Sequence, residues 1–443
     1  MTLSTPLRSA LFVVVIHFIF VLVSTIPGIR GMDLRSSLQI SDEATYVNDA
    51  NNIVAHGAFS RETSSPYLWE PYRTPGLPLI IALSLFVTKS LIPILFINVL
   101  FAGLAAFFGI KLLQLLNMER SVQTYFIVLL AILPNALGMD CYILTDSIFA
   151  YLNIIWLFFL LKGFLKNDFR SLLYSSLVLA FAQLIKPTLS IAFIIILITA
   201  VIVKFEHLRS INFKQLIVVT GLSFLAPLFM SFMNYNAHHV FSPSLLGEET
   251  EREYLMASYI SKKTKIDYHT IQTNIRDEDR RDAEKLMDNS KSIYGKLHIV
   301  KKQKDDSMMH HYRMGIYITA ASEFFKQIFS PQEFAFNVFS QHPPAIARRV
   351  GFIINILLLF LFALGLVHFY KFNLMRYGIL ILIISSFYLI AGSLSAQQGA
   401  RLRLPADIIS LPVMAAGLSI LFRKKSVKSA ENLAFNNTTP LHR

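Results

Sequence analysis

The chain has 443 residues, 54% of them hydrophobic and 16% charged, and Lys plus Arg outnumber Asp plus Glu to give a net charge of +13. A mean hydropathy of +0.52 excludes an ordinary soluble globular protein, and no long period-two alternation supports a β-barrel. The single cysteine, Cys141, excludes internal disulfides and cysteine-built metal clusters. In so apolar a chain the excess of cations reads as basic cytoplasmic loops under the positive-inside bias, not as nucleic-acid binding.

Apolar runs of roughly 20 residues recur, which predicts an all-α polytopic membrane protein. In chain order they fall at 9–26, 91–110, 121–138, 143–161, 171–185, 188–203, 215–233, 350–370, 377–394 and 405–422, or about ten transmembrane helices. Residues 9–26 are expected to be a retained span, since no small-residue cleavage site follows them. The run at 76–87, "GLPLIIALSLFV", is too short to cross about 30 Å of hydrocarbon and is expected to lie at the interface or re-enter. With that choice Lys111, Arg120, Lys162, Lys166, Arg170 and the "RKKSVK" tail all face the cytoplasm; with the other choice they all face outward. The expected organisation is a transmembrane module over 1–233 with a first outer loop at 27–90, a mainly helical extracytoplasmic loop domain over 234–349, C-terminal transmembrane helices over 350–422, and a basic tail over 423–443.

The residues with chemical potential gather on the outer side. In "SDEATYVNDANNIVAHG" (41–57) the spacing of Val47, Ala50 and Val54 predicts an amphipathic helix over 42–56 with Gly57 as its C-cap. Ser41 or Asp42 suits an N-cap, the bland reading. The sharper one is that Asp42, partly desolvated at the lipid boundary, gains the basicity of a general base, with Glu43 in reserve and Tyr46 beside them. "EPYRTPGLP" holds Arg73 between prolines, either snorkelling or gripping a phosphate. In "GMDCYILTDS" Asp140 is expected to be a solvated turn residue, whereas Asp146, inside a span, is a functional candidate. Lys186 in "QLIKPTL" suits a lipid phosphate, and Arg401 with Arg403 in "GARLRLPAD" stand on the side where the positive-inside bias disfavours them, which anionic ligand binding explains. Adjacent His310 and His311 lack the spacing of a helix-face metal site, and His342 marks nothing definite. The chain has no P-loop, Rossmann fingerprint, HExxH or GxSxG motif.

The stretches "SDEATY…NIVAHG", "YRTPGLPLIIAL", "ILTDSIFAYL", "IKPTL" and "ARLRLPADIISLPVMAAGL" resemble the GT-C superfamily of polytopic glycosyltransferases. The branch in question is the family-39-like one that includes protein O-mannosyltransferases and the aminoarabinose transferases of lipid A. The resemblance covers about the first 230 residues and, more loosely, the last 50. It implies an inverting transfer of a sugar from a polyprenyl-phosphate donor, undecaprenyl- or dolichyl-linked, to a hydroxyl of a protein, lipid or glycan acceptor. Asp42, or the adjacent Glu43, would be the base. Lys186 with Arg401 or Arg403 would stabilise the leaving phosphate, and Asp146 would hold sugar, acceptor or a divalent cation. The metal question stays open, because relatives differ in it. The expected location is a bacterial inner membrane with the site facing outward, or else an endoplasmic reticulum membrane. An undecaprenyl-linked glycan polymerase or ligase would place its chemistry in the large loop, and a lipid or solute transporter would place polar groups in mid-span. Here they crowd to one face.

Overall fold

The computed structural model describes residues 4–25, 41–189, 192–203, 213–287, 291–332, 335, 338, 345–396 and 399–422. Residues 27–40 of the first loop, His342 and the basic tail lie outside them. The described residues are mainly helical, without strands, as a chain that must satisfy its backbone inside lipid requires. Among the described residues six helices are long and apolar enough to cross a bilayer. They are α1 (Thr5–Thr25), α4 (Ile92–Leu115), α7 (Thr145–Lys166), α16 (Ala345–Lys371), α17 (Met375–Leu394) and α18 (Leu404–Phe422, with Arg401–Arg403 as its entry turn). A seventh crossing is available if α10 (Phe213–Ser223) and α11 (Leu225–His238), bent by 43° at their junction, act together.

Shorter apolar helices fill the remaining places: α3 (Gly76–Thr88), α5 (Arg120–Ile132), α8 (Phe169–Ile185) and α9 (Ala192–Val203). The expected continuous run at 121–138 is interrupted. Pro134 disfavours a helical residue before it, so Leu133 is extended and a separate short helix, α6 (Pro134–Met139), follows. The first-loop helix α2 (Ser41–His56) forms as its apolar spacing predicts, and Gly57 closes it with φ +65°, a conformation free of cost only for glycine. Between residues 240 and 332 lie α12 (Leu246–Glu249), a π-helical turn over Thr250–Met256, α13 (Ala257–Thr264), α14 (Tyr268–Lys285) and the long α15 (Ile293–Phe329).

The buried centre is α7, sealed by α4, α8 and α18. Helix α18 crosses α16 closely because the contact is glycine on backbone. A methyl carbon on Gly365 would sit 1.9 Å from the Val413 carbonyl oxygen, and one on Gly417 2.0 Å from that of Leu361. The two helices run in the same direction: the Ile328 carbonyl accepts from Asn355 near the start of α16 and from Arg403 at the entry of α18, so both helices start at the same end of the bundle. Polar ties then gather the segments that matter at one end of the bundle. Thr74 donates to the Ile185 carbonyl at 3.0 Å, and Asn98 donates to the carbonyls of Asp140 and Tyr142 at 3.2 and 3.1 Å.

Candidate functional site

At that end lies a cavity of about 700 Å³, floored by the 42–46, 72–74, 186–188 and 401–405 segments and roofed by residues from 242–255 and α15. Its floor is one connected ion network. Arg401 donates through one guanidinium nitrogen to Asp42, 2.7 Å away, and through Nε to Asp146, 3.0 Å away. Lys186 closes on the other Asp146 oxygen at 2.6 Å, and Arg73 on the other Asp42 oxygen at 2.5 Å. Two carboxylates against three cations leave the network one positive charge in excess. Arg73 also lies over the Tyr46 ring, 5.4 Å from its centroid.

Each element supplies its group for a local reason. Asp42 stands in the first turn of α2, and its carboxylate is engaged by Arg73 and Arg401 rather than given to capping. Lys186 is released at the C-terminus of α8, where Pro187 ends the helix. Arg73 is set by Glu70, a fully buried carboxylate that accepts the backbone N–H groups of Tyr72 and Arg73 at 2.8 and 3.0 Å and is gripped by Arg61. Glu70 sat in plain view in "EPYRTPGLP", but nothing in that string distinguishes a loop-building acid from a solvated one.

The structure brings five expected residues to the cavity wall: Asp42, Tyr46, Arg73, Lys186 and Arg401. It does not bring the other three. Glu43 turns the other way on α2 and accepts the Ile143 backbone N–H at 2.8 Å, tying the first loop to the turn before α7. Asp146 has no exposed surface and sits behind Lys186 and Arg401 as their anchor, so a sugar, an acceptor or a metal would reach it only by displacing them. Arg403 is directed to Asp407 at 2.9 Å and to the carbonyls of Ile328 and Ser330, where it fastens the end of α15 to α18. Among the described residues no group of three His, Cys, Asp or Glu side chains is placed to hold a metal ion.

Two expectations are corrected. Asp140 is not solvated; it is fully buried, 2.6 Å from Nδ1 of His17 on α1, and it accepts from the Tyr151 hydroxyl at 3.1 Å. Asp42 does not gain basicity from its surroundings. Burial does push its pKa up, but Arg73 and Arg401 outweigh burial and hold the carboxyl below its ordinary value of 3.8. Tyr46, by contrast, is pushed up, mainly by burial, and stays a neutral phenol.

The far wall differs in sign. Glu248, paired with His298 at 2.6 Å, and Glu251 line it, and burial together with Asp306 and Glu248 raises the Glu251 pKa. Between floor and far wall the lining is apolar, with Leu255, Ile316 and Ala320 among it. The cavity can therefore seat an anion at its floor with an uncharged or apolar body alongside. The chain matches no protein-family model and no curated protein.

Proposed function

We propose that the protein is an inverting glycosyltransferase that takes a sugar from a polyprenyl-phosphate donor and places it on an acceptor hydroxyl. The observation that carries this reading is Arg401 bridging Asp42 and Asp146, with Arg73 and Lys186 completing a net-cationic floor in a largely apolar cavity. A lipid monophosphate has the matching chemistry, an anionic head on an apolar body. In this reading the donor phosphate lies against Lys186 and Arg401, whose charges stabilise the phosphate as it leaves. The anion draws the guanidinium groups away from Asp42. That removes the force holding its pKa down, so the base is awakened by the substrate itself. Asp42 then takes the proton of the acceptor hydroxyl, the acceptor oxygen forms a bond to the anomeric carbon from the opposite face, and the bond from that carbon to the phosphate oxygen breaks.

The same reading counts α5, α8, α9 and the α10–α11 pair as crossings as well, giving about ten, leaves α3 at the interface, and has the cavity facing away from the cytoplasm of a bacterial inner membrane. It treats residues 234–349 as a loop domain over the site. A divalent cation is not required by these steps.

The test is binding of a polyprenyl monophosphate to the purified protein in nanodiscs, beside the same polyprenol without phosphate. The monophosphate is expected to bind, the alcohol to bind far more weakly, and Arg401→Gln to lose about 10- to 100-fold in affinity, as a hydrogen bond to a charged group is worth 1.5–3 kcal/mol. Equal affinity for phosphate and alcohol would overturn the reading.

A further inference from the structure

Helix α15 is 37 residues long, and its backbone breaks at Tyr312, where φ is −127° and ψ is 18°. Before the break it is built for water. Lys302, Gln303 and Asp306 are exposed, while Lys301 and Lys304 are tied to Glu253 and Asp279 at 2.9 and 3.0 Å. After the break the pattern inverts. Met314, Ile318, Ala321, Phe325 and Phe329 recur at helical spacing and form one outward stripe. Met314 is 72% exposed, Ile318 64% and Phe325 59%. The opposite, buried face is mixed: Thr319, Glu323 and Gln327 share it with Ile316 and Ala320. Glu323 is satisfied there by Lys262 at 2.9 Å and Lys326 at 2.7 Å, and Gln327 lies against Gly392 of α17. An apolar stripe turned outward while three polar side chains are buried on the inner face is not the pattern of a helix standing in water.

The two ends of α15 fix its level. Near its start, Gly295 abuts the carbonyl of His238, the last residue of α11. At its finish the Ile328 carbonyl accepts from Asn355 of α16 and from Arg403 at the entry of α18, both at 2.9 Å. The helix therefore lies across the end of the apolar bundle. Its Ile316 and Ala320 line the cavity, while the stripe turns away from it, level with exposed apolar side chains of α16 such as Ile353.

We propose that the second half of α15 lies in the headgroup–acyl boundary of the bilayer, its stripe on lipid acyl chains, and so forms the wall between cavity and membrane. The occupant of the stripe is bilayer lipid, because the stripe continues the apolar surface of helices that are themselves membrane-crossing. This does not depend on the proposed transfer reaction.

The test is a set of single-cysteine variants, M314C, I318C and F325C with K302C as the water-facing control, each carrying a fluorescent thiol label in nanodiscs. Native Cys141 is buried and is not expected to label. Lipids brominated on their acyl chains should quench the label at 314, 318 and 325 several-fold more than at 302, and aqueous iodide should show the opposite order. Iodide quenching at all four positions would overturn the proposal. So would protection of the stripe from both quenchers with crosslinking between copies, which would mark a surface for a second chain. Should F325C fail to fold, M314C and I318C carry the same reading.

Discussion

Asp140 and Asp146 stand six residues apart in one turn, both without exposed surface, yet they do different things. Asp140 faces His17 and Tyr151 in a closed contact between α1 and α7 and is not part of the cavity lining. Asp146 faces Lys186 and Arg401, and both of those line the cavity. A buried acid is thus neither functional nor structural by virtue of depth. What decides is whether its partners have a further face to offer a ligand. In the proposed function, the rule that intramembrane acids mark functional sites applies to Asp146 only at one remove, through the cations it anchors.

The comparison can be broken most sharply at Asp146. Asp146→Asn leaves Lys186 and Arg401 buried with too little negative charge, and transfer should fall by about 10²–10³-fold, the loss typical of one misplaced electrostatic contact. Initial rates with a labelled lipid-phosphate donor, normalised to folded protein, measure it; a rate near the wild type would put Asp146 in the class of Asp140. His17→Ala is the reciprocal change. It leaves a buried carboxylate with the Tyr151 hydroxyl but without its imidazole partner, at a cost of about 1–3 kcal/mol, so thermal unfolding should come several degrees earlier while the rate per folded molecule holds. A kinetic defect without a stability loss would reverse the assignment.

Asp49 sharpens the contrast with a smaller effect, because it is a buried acid with no hydrogen-bond partner among the described residues. Neither oxygen is hydrogen-bonded, and burial, with Glu70 adding to it, pushes its pKa well above 3.8. The folded state therefore keeps a proton that the unfolded state releases, so this residue's contribution to stability falls as pH rises above about 4. Unfolding midpoints followed from pH about 5 to about 7 should drop more in the wild type than in Asp49→Asn; parallel curves would show that Asp49 ionises normally.

Much of this was legible in the sequence where a local pattern fixes the answer. The α2 helix with its Gly57 cap, the short α3 and the break at Lys186–Pro187 all follow from spacing and from glycine and proline chemistry. What was not legible depends on rotation and on distant partners. Asp42 and Glu43 are adjacent, and only the seating of α2 decides which carboxylate meets Arg401 and which meets the Ile143 backbone. Asp140 reads as a turn residue because its partner, His17, is 123 positions away. Arg401 and Arg403 look equivalent in "RLR", yet one lines the cavity and the other holds the end of α15. The outward apolar stripe of α15 is hidden for a further reason. Its composition averages to that of a soluble helix, and only burial reveals which side is turned out.

The most direct measurement is sugar transfer from a panel of labelled polyprenyl-phosphate sugars in purified membranes, wild type beside Asp42→Asn and Glu43→Gln at matched protein levels. The account predicts transfer from at least one donor, a loss of about 10²–10⁴-fold in Asp42→Asn, as for removal of a general base, and near-normal rates in Glu43→Gln, whose amide oxygen can still accept the Ile143 N–H. Full activity in Asp42→Asn with loss in Glu43→Gln would contradict the site as built, and a wild type that consumes no lipid-phosphate sugar would contradict the reaction.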